Sequence, residues 1–133
     1  MTEPESDVPV VRLRTGFFWR RDGVLYGESL EDAEETLADA KEQLMHQRGM
    51  LIGGKAMPFV MDIRHARSLS RDARAYFASE EAREIFSATA LIIGSPLSRT
   101  LGNFFLGLNR TRMPTRLFTS TPDALAWLRT DPK

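Results

Sequence analysis

Two periods of apolar and polar residues run along this chain, and the changes from one to the other mark its elements. Residues 10–14 have strand composition. Apolar runs at 17–20 and 24–27 flank Asp22 and Gly23, a pair whose tolerance of left-handed backbone makes it a strong hairpin turn. Ser29 followed by Asp32 resembles a helix-capping box with aspartate in place of glutamate. From there Ala33, Leu37, Ala40 and Leu44 recur at helical spacing until Gly49, which predicts an amphipathic helix with Glu31, Glu34, Glu35, Asp39 and Glu42 on its outer face. The second half alternates. A strand is predicted at 59–64, helical pieces within 71–88, a strand at 90–94, a helix at 96–106, a strand at 115–119 and a closing helix at 122–129.

Strand and helix in regular succession imply parallel strands joined by crossover helices, whereas the N-terminal hairpin is antiparallel. The expected fold is therefore α/β, with a mixed sheet, an N-terminal β-hairpin and helices packed mainly on one face. Pro96 after Ser95 and Pro122 after Thr121 sit in first helical turns, where the missing proline donor costs nothing. Residues 1–8 read as a disordered leader, 9–130 as one domain and 131–133 as a tail; no repeat or linker divides them.

Cysteine is absent, which excludes a disulfide framework, a thiolate nucleophile and a cysteine metal site. The acidic start is unlike a signal peptide, and no apolar run reaches the length of a membrane span, so a cytoplasmic location is the expectation. Total charge balances, but unevenly: residues 1–42 hold 11 acidic and 5 basic side chains, leaving the remainder basic. Arg64, Arg67, Arg71, Arg74, Arg99, Arg110, Arg112 and Arg116 cluster near strand ends and helix starts, where arginine forks suit a phosphate, an acidic peptide or an acidic partner helix. Nucleic acid would need a continuous basic stripe with exposed aromatics, and none is expected as a partner.

The junction between the strand at 59–64 and the helix that Ser70 caps is where open α/β sheets usually place their functional surface. Asp62, Arg64 and His65 bring an acid, a base and an imidazole to the end of that strand. No nucleophile, glycine-rich phosphate loop or metal-ligand pair accompanies them, so neither catalysis nor a cofactor or metal is expected. Asp62 reads as an acceptor that fixes the loop, and His46, the other histidine, as a surface group on the acidic helix. Phe17, Phe18 and Trp19 point to alternate sheet faces, so a large side chain there seeks a cover that a second subunit would supply as a homodimer. The 103–108 segment is apolar beyond one stripe, which fits either a helix held between others or a dimer- or lipid-facing patch.

The order of the strand ending on Asp62, the serine-capped helix, the Leu91, Ile92, Ile93 strand and the closing Asp123, Ala124, Leu125, Ala126, Trp127, Leu128 helix resembles the STAS superfamily of anti-sigma-factor antagonists and their relatives. Residues 98–109 resemble that superfamily's third helix and exit. The resemblance spans residues 10–128 and implies a non-catalytic regulatory module that binds a kinase or anti-sigma-like protein. Its phosphorylation switch falls on Ser70, Arg71, Asp72 and Ala73. Arginine at the acceptor position cannot be phosphorylated, so either the switch is lost or the loop has slipped and Ser70 or Ser68 takes its role, with Ser70 the candidate phosphosite. The implied partner-binding surface comprises Asp62, Arg64, His65, Arg67, Ser68, Ser70, Arg71, Asp72 and Arg74. An alternative is a small apolar ligand or lipid beneath the helices, with Met45, Met50, Met57 and Met61 as an adaptable lining.

Overall fold

The structure, a computed structural model, describes residues 3–109 and 113–133. A mixed six-stranded sheet forms its centre. The first three strands, β1 (Val11–Arg12), β2 (Gly16–Arg21) and β3 (Val24–Ser29), pair antiparallel. Asp22 and Gly23 join β2 to β3 with φ of 51° and 79°, the left-handed pair that matches the twist of a two-residue hairpin. Ahead of β1, the Asp7 amide donates to the Arg20 carbonyl at 2.7 Å and Val8 packs against the core.

From β3 onward the sheet is parallel: β3 pairs with β5 (Met57–Asp62), β5 with β7 (Phe86–Ile92), and β7 with β8 (Thr115–Phe118). Parallel neighbours need crossovers, and helices supply them. These are α1 (Leu37–Arg48), then α2 (Arg71–Phe77) with the single turn α3 (Glu80–Arg83), then α4 (Pro96–Asn109). The last helix, α5 (Thr121–Leu128), follows β8 and begins at a Ser120 cap with proline in its first turn.

Alternation along the strands divides the side chains into two layers. One holds Phe18, Leu25, Phe59, Phe86 and Leu91 under Ala40 and Leu44 of α1, Ala73 and Phe77 of α2, Ala82 of α3 and Phe105 of α4. The other is thinner: Val60, Ala88, Ala90 and Ile92 lie under Ala124 and Leu128 of α5. Four helices thus cover one face and α5 part of the other, the α/β arrangement expected. Phe18 is 1% exposed. Its neighbours Phe17 and Trp19 turn to the opposite face and stack in a row with Tyr26, ring centroids 5.5 and 5.3 Å apart.

Several boundaries differ from the periodicity, β5 lying two residues earlier than its expected 59–64. The first helix starts at Leu37, not after Ser29. Ser29 is the buried last residue of β3, Asp32 takes φ 58°, and Glu34 and Glu35 form a short strand, β4 (Glu34–Glu35), that pairs in parallel with β6 (Ser68–Leu69). The true capping box is Thr36 with Asp39: the Asp39 carboxylate accepts the Thr36 amide at 2.9 Å while the Thr36 hydroxyl accepts the Asp39 amide. Only Asp39 and Glu42 of the five expected acids therefore lie on the helix. In the second half β7 begins at Phe86 rather than residue 90, because Phe86 and Ala88 pair with Met57 and Pro58 and extend the central ladder. The following helix runs to Asn109, past its expected end at 106.

Candidate functional site

The carboxyl end of β5 delivers Asp62, 8% exposed, to the edge of the second layer, in register with Ile92. Its carboxylate accepts the Arg64 amide at 3.0 Å and both Nε (3.0 Å) and Nη2 (2.7 Å) of the Arg64 guanidinium. This two-pronged grip turns the chain out of the strand and fixes the first residues of the loop. Gly94, just beyond β7, makes room for it: a Cβ there would lie 3.0 Å from Arg64 Cδ. Glu28 pairs in register with Asp62, and its carboxyl is pushed above the usual range first by burial and then by the Asp62 charge.

The loop beyond is laced to the segment that follows β3. The Asp32 amide donates to the His65 carbonyl at 2.9 Å, the Arg67 amide to the Ala33 carbonyl at 2.8 Å and the Ser70 amide to the Glu35 carbonyl at 2.9 Å. His65 Nδ1 lies 3.1 Å from the Glu31 carboxylate. The Ser70 hydroxyl accepts the Ala73 amide at 3.1 Å, which starts α2 and confirms the serine cap. The result is a firm rim with Arg64, His65, Arg67, Ser70, Arg71 and Asp72 exposed along it.

Ser68 and Arg74 stand apart from that rim. Ser68 turns toward the interior as part of a cavity wall. The Arg74 guanidinium lies 4.8 Å from the ring centre of exposed Phe104 on α4, a cation–π contact between helices, and its buried Nε has no partner among the described residues. Arg116 covers Phe118 on β8, and Arg110 and Arg112 lie outside the described residues. Among the described residues no group of three His, Asp or Glu side chains is placed to hold a metal ion, and no helix is long and apolar enough to cross a membrane.

Beneath the β4–β6 ladder, between the sheet and the helices, is a mainly apolar cavity of about 70 Å³. Phe59, Met61, Leu91, Leu101 and Phe105 form much of its wall, and Ala33, Glu35, Ala66, Ser68 and Leu69 come from the ladder side. Of the four methionines with an expected lining role only Met61 takes it; Met50 and Met57 are core residues and Met45 is 63% exposed. One wall is polar. The Thr15 hydroxyl donates to the Glu35 carboxyl, and buried Gln43 donates from Nε2 to Gln47 Oε1 at 3.0 Å. Burial pushes the Glu35 carboxyl up to about 7, against the pull of the Thr15 hydrogen bond and the Arg14 charge.

Sequence reading missed this wall. Gln43 and Gln47 did carry a signal: they are four residues apart, on the same α1 stripe as Ala40 and Leu44, so two amides interrupt an apolar face. The Thr15–Glu35 contact joins residues 20 apart and had none.

This arrangement is the SpoIIAA-like fold. A protein of the DUF3478 family with a SpoIIAA-like fold from Shewanella loihica PV-4 superposes with a TM-score of 0.56 at 19% identity, covering 96% of this chain and 98% of that one. An anti-sigma factor antagonist from Mycobacterium paratuberculosis superposes with a TM-score of 0.61 at 18% identity, covering 86% and 93%. No curated protein matches the sequence. By sequence the chain belongs to the family described as Domain of unknown function (DUF7793), which it matches over residues 18–131.

Proposed function

We propose that this chain is a non-catalytic regulatory module that docks a signalling protein, of the kinase or anti-sigma class, through the loop and helix start that follow β5. The observation that carries the reading is the exposed row Arg64, His65, Arg67, Arg71 and Asp72 on a rim already fixed by the Asp62 fork, the β4–β6 ladder and the Ser70 cap. A charged surface that is rigid before binding loses little conformational freedom on docking. The similarity in fold to an anti-sigma factor antagonist supports the choice of partner class. Arg71 at the acceptor position, with Ser70 engaged as a cap and Ser68 in the cavity wall, supports docking without the usual phosphoserine switch.

The test begins with capture from the native host by wild type, Arg71→Glu, Ser70→Ala and Arg129→Glu, the last an exposed control at the end of α5. The captured protein is then purified and its affinity measured for each variant. Arg71→Glu is expected to bind roughly tenfold more weakly or worse, with Arg129→Glu unchanged. Equal binding by wild type and Arg71→Glu would sink the docking surface. A phosphate found on Ser70, with binding altered by Ser70→Asp, would restore the switch and place it one residue earlier.

A further inference from the structure

We infer that the cavity beneath the β4–β6 ladder is a binding site for a small apolar molecule carrying one hydroxyl group, of the size of a short-chain alcohol. This is separate from the docking surface, and either can fail without the other. Its size sets the scale. An apolar protein cavity of about 150 Å³ takes one benzene. The roughly 70 Å³ here is about half of that and suits about three non-hydrogen atoms, the size of ethanol, whereas a lipid tail would require the ladder to open. Met61 adds an adaptable side chain to an otherwise mostly aliphatic and aromatic wall.

The polar wall selects the functional group. Gln43 is 2% exposed and lines the cavity, and with its Nε2 committed to Gln47, its Oε1 has no hydrogen-bond partner among the described residues. Buried acceptors without donors are rare in native cores and call for a bound group. The Glu35 carboxyl, already holding the Thr15 hydroxyl, is a second polar group on the same cavity wall. An unpaired acceptor in an apolar chamber favours a ligand that donates one hydrogen bond and buries its remaining surface.

The probe is ethanol, titrated into isotope-labelled full-length protein while methyl and side-chain amide NMR signals are followed. Dimethyl ether, its isomer with no hydroxyl hydrogen, dissolved at matched concentration, is the comparison. Saturable shifts are expected at the Met61, Leu91 and Leu101 methyls and the Gln43 amide, with the ether roughly two- to tenfold weaker. Gln43→Met should erase the preference for the alcohol. If that variant loosens the fold, Ala33→Leu, which fills the cavity from the ladder side, should abolish the saturable shifts. Shifts that grow linearly and spread over the surface overturn the site. Equal affinity for the ether overturns the polar anchor, and a water on Gln43 that ethanol does not displace overturns the ligand.

Discussion

Replacing Glu35 with glutamine removes a titrating group from the interior while keeping an acceptor for the Thr15 hydroxyl. The folded-state carboxyl titrates at about 7 against an ordinary 4.5, with burial the main cause. Below pH 4.5 both folded and unfolded chains hold the proton and the group leaves stability unchanged. Between 4.5 and 7 the unfolded chain releases its proton while the folded chain keeps it, so stability falls as pH rises and levels off above 7. At 1.36 kcal/mol per pH unit, that interval amounts to about 3 kcal/mol, a large share of the 5–15 kcal/mol typical of a domain. Glu35→Gln lacks this loss. Urea unfolding of both proteins, followed by circular dichroism from pH 4.5 to about 8, should show the variant gaining about 3 kcal/mol on the wild type as pH rises. Glu28 is also raised by burial, but it is common to both proteins and cancels; Asp39, held down to about 2 chiefly by its hydrogen bond from Arg14, acts below this window. Stability curves that stay parallel, or a gap that widens toward acid, would refute the reasoning.

Three further outcomes follow from the packing. Ser70→Ala removes the α2 cap and should cost about 1 kcal/mol in urea unfolding, with far-UV circular dichroism almost unchanged. Gly94→Val places a Cβ 3.0 Å from Arg64 Cδ and should displace the guanidinium from Asp62, seen as faster solvent exchange of the Arg64 Nε proton by NMR. Ala90→Leu overpacks the thin layer beneath α5, where Ala90 is fully buried, and should lower stability by about 1–3 kcal/mol in thermal or urea unfolding.

Much of this fold was legible because its signals are local. Asp22 and Gly23 announce their turn through backbone preference, Ser70 announces its helix by capping chemistry, and the second half writes each strand and helix in its own period. The region from Ser29 to Thr36 misled for a physical reason. Its serine, aspartate and alanine pattern resembles a helix start, but the pairing of β3 with β2 holds Ser29 opposite Gly16 in the sheet, and the distant residues Ser68 and Leu69 draw Glu34 and Glu35 into a strand. The rim residues were found because they neighbour one another in sequence. The interior polar wall was not, since Thr15 and Glu35 meet only when β2 and the ladder are both in place.

The sheet's topology sets the order in which the chain can assemble. The hairpin of β2 and β3 closes across a two-residue turn and can form within microseconds, with nothing else in place. Each parallel pairing after it joins segments separated by a whole helix, so the loop entropy must be overcome before any strand contact compensates it. Until β5 arrives, β3 presents an open hydrogen-bonding edge that carries the apolar Leu25, a template for any neighbouring chain. The vulnerable interval in this protein's life is thus the wait between its hairpin and its central strand, and a host making it in quantity would have most to gain by shielding the nascent chain then.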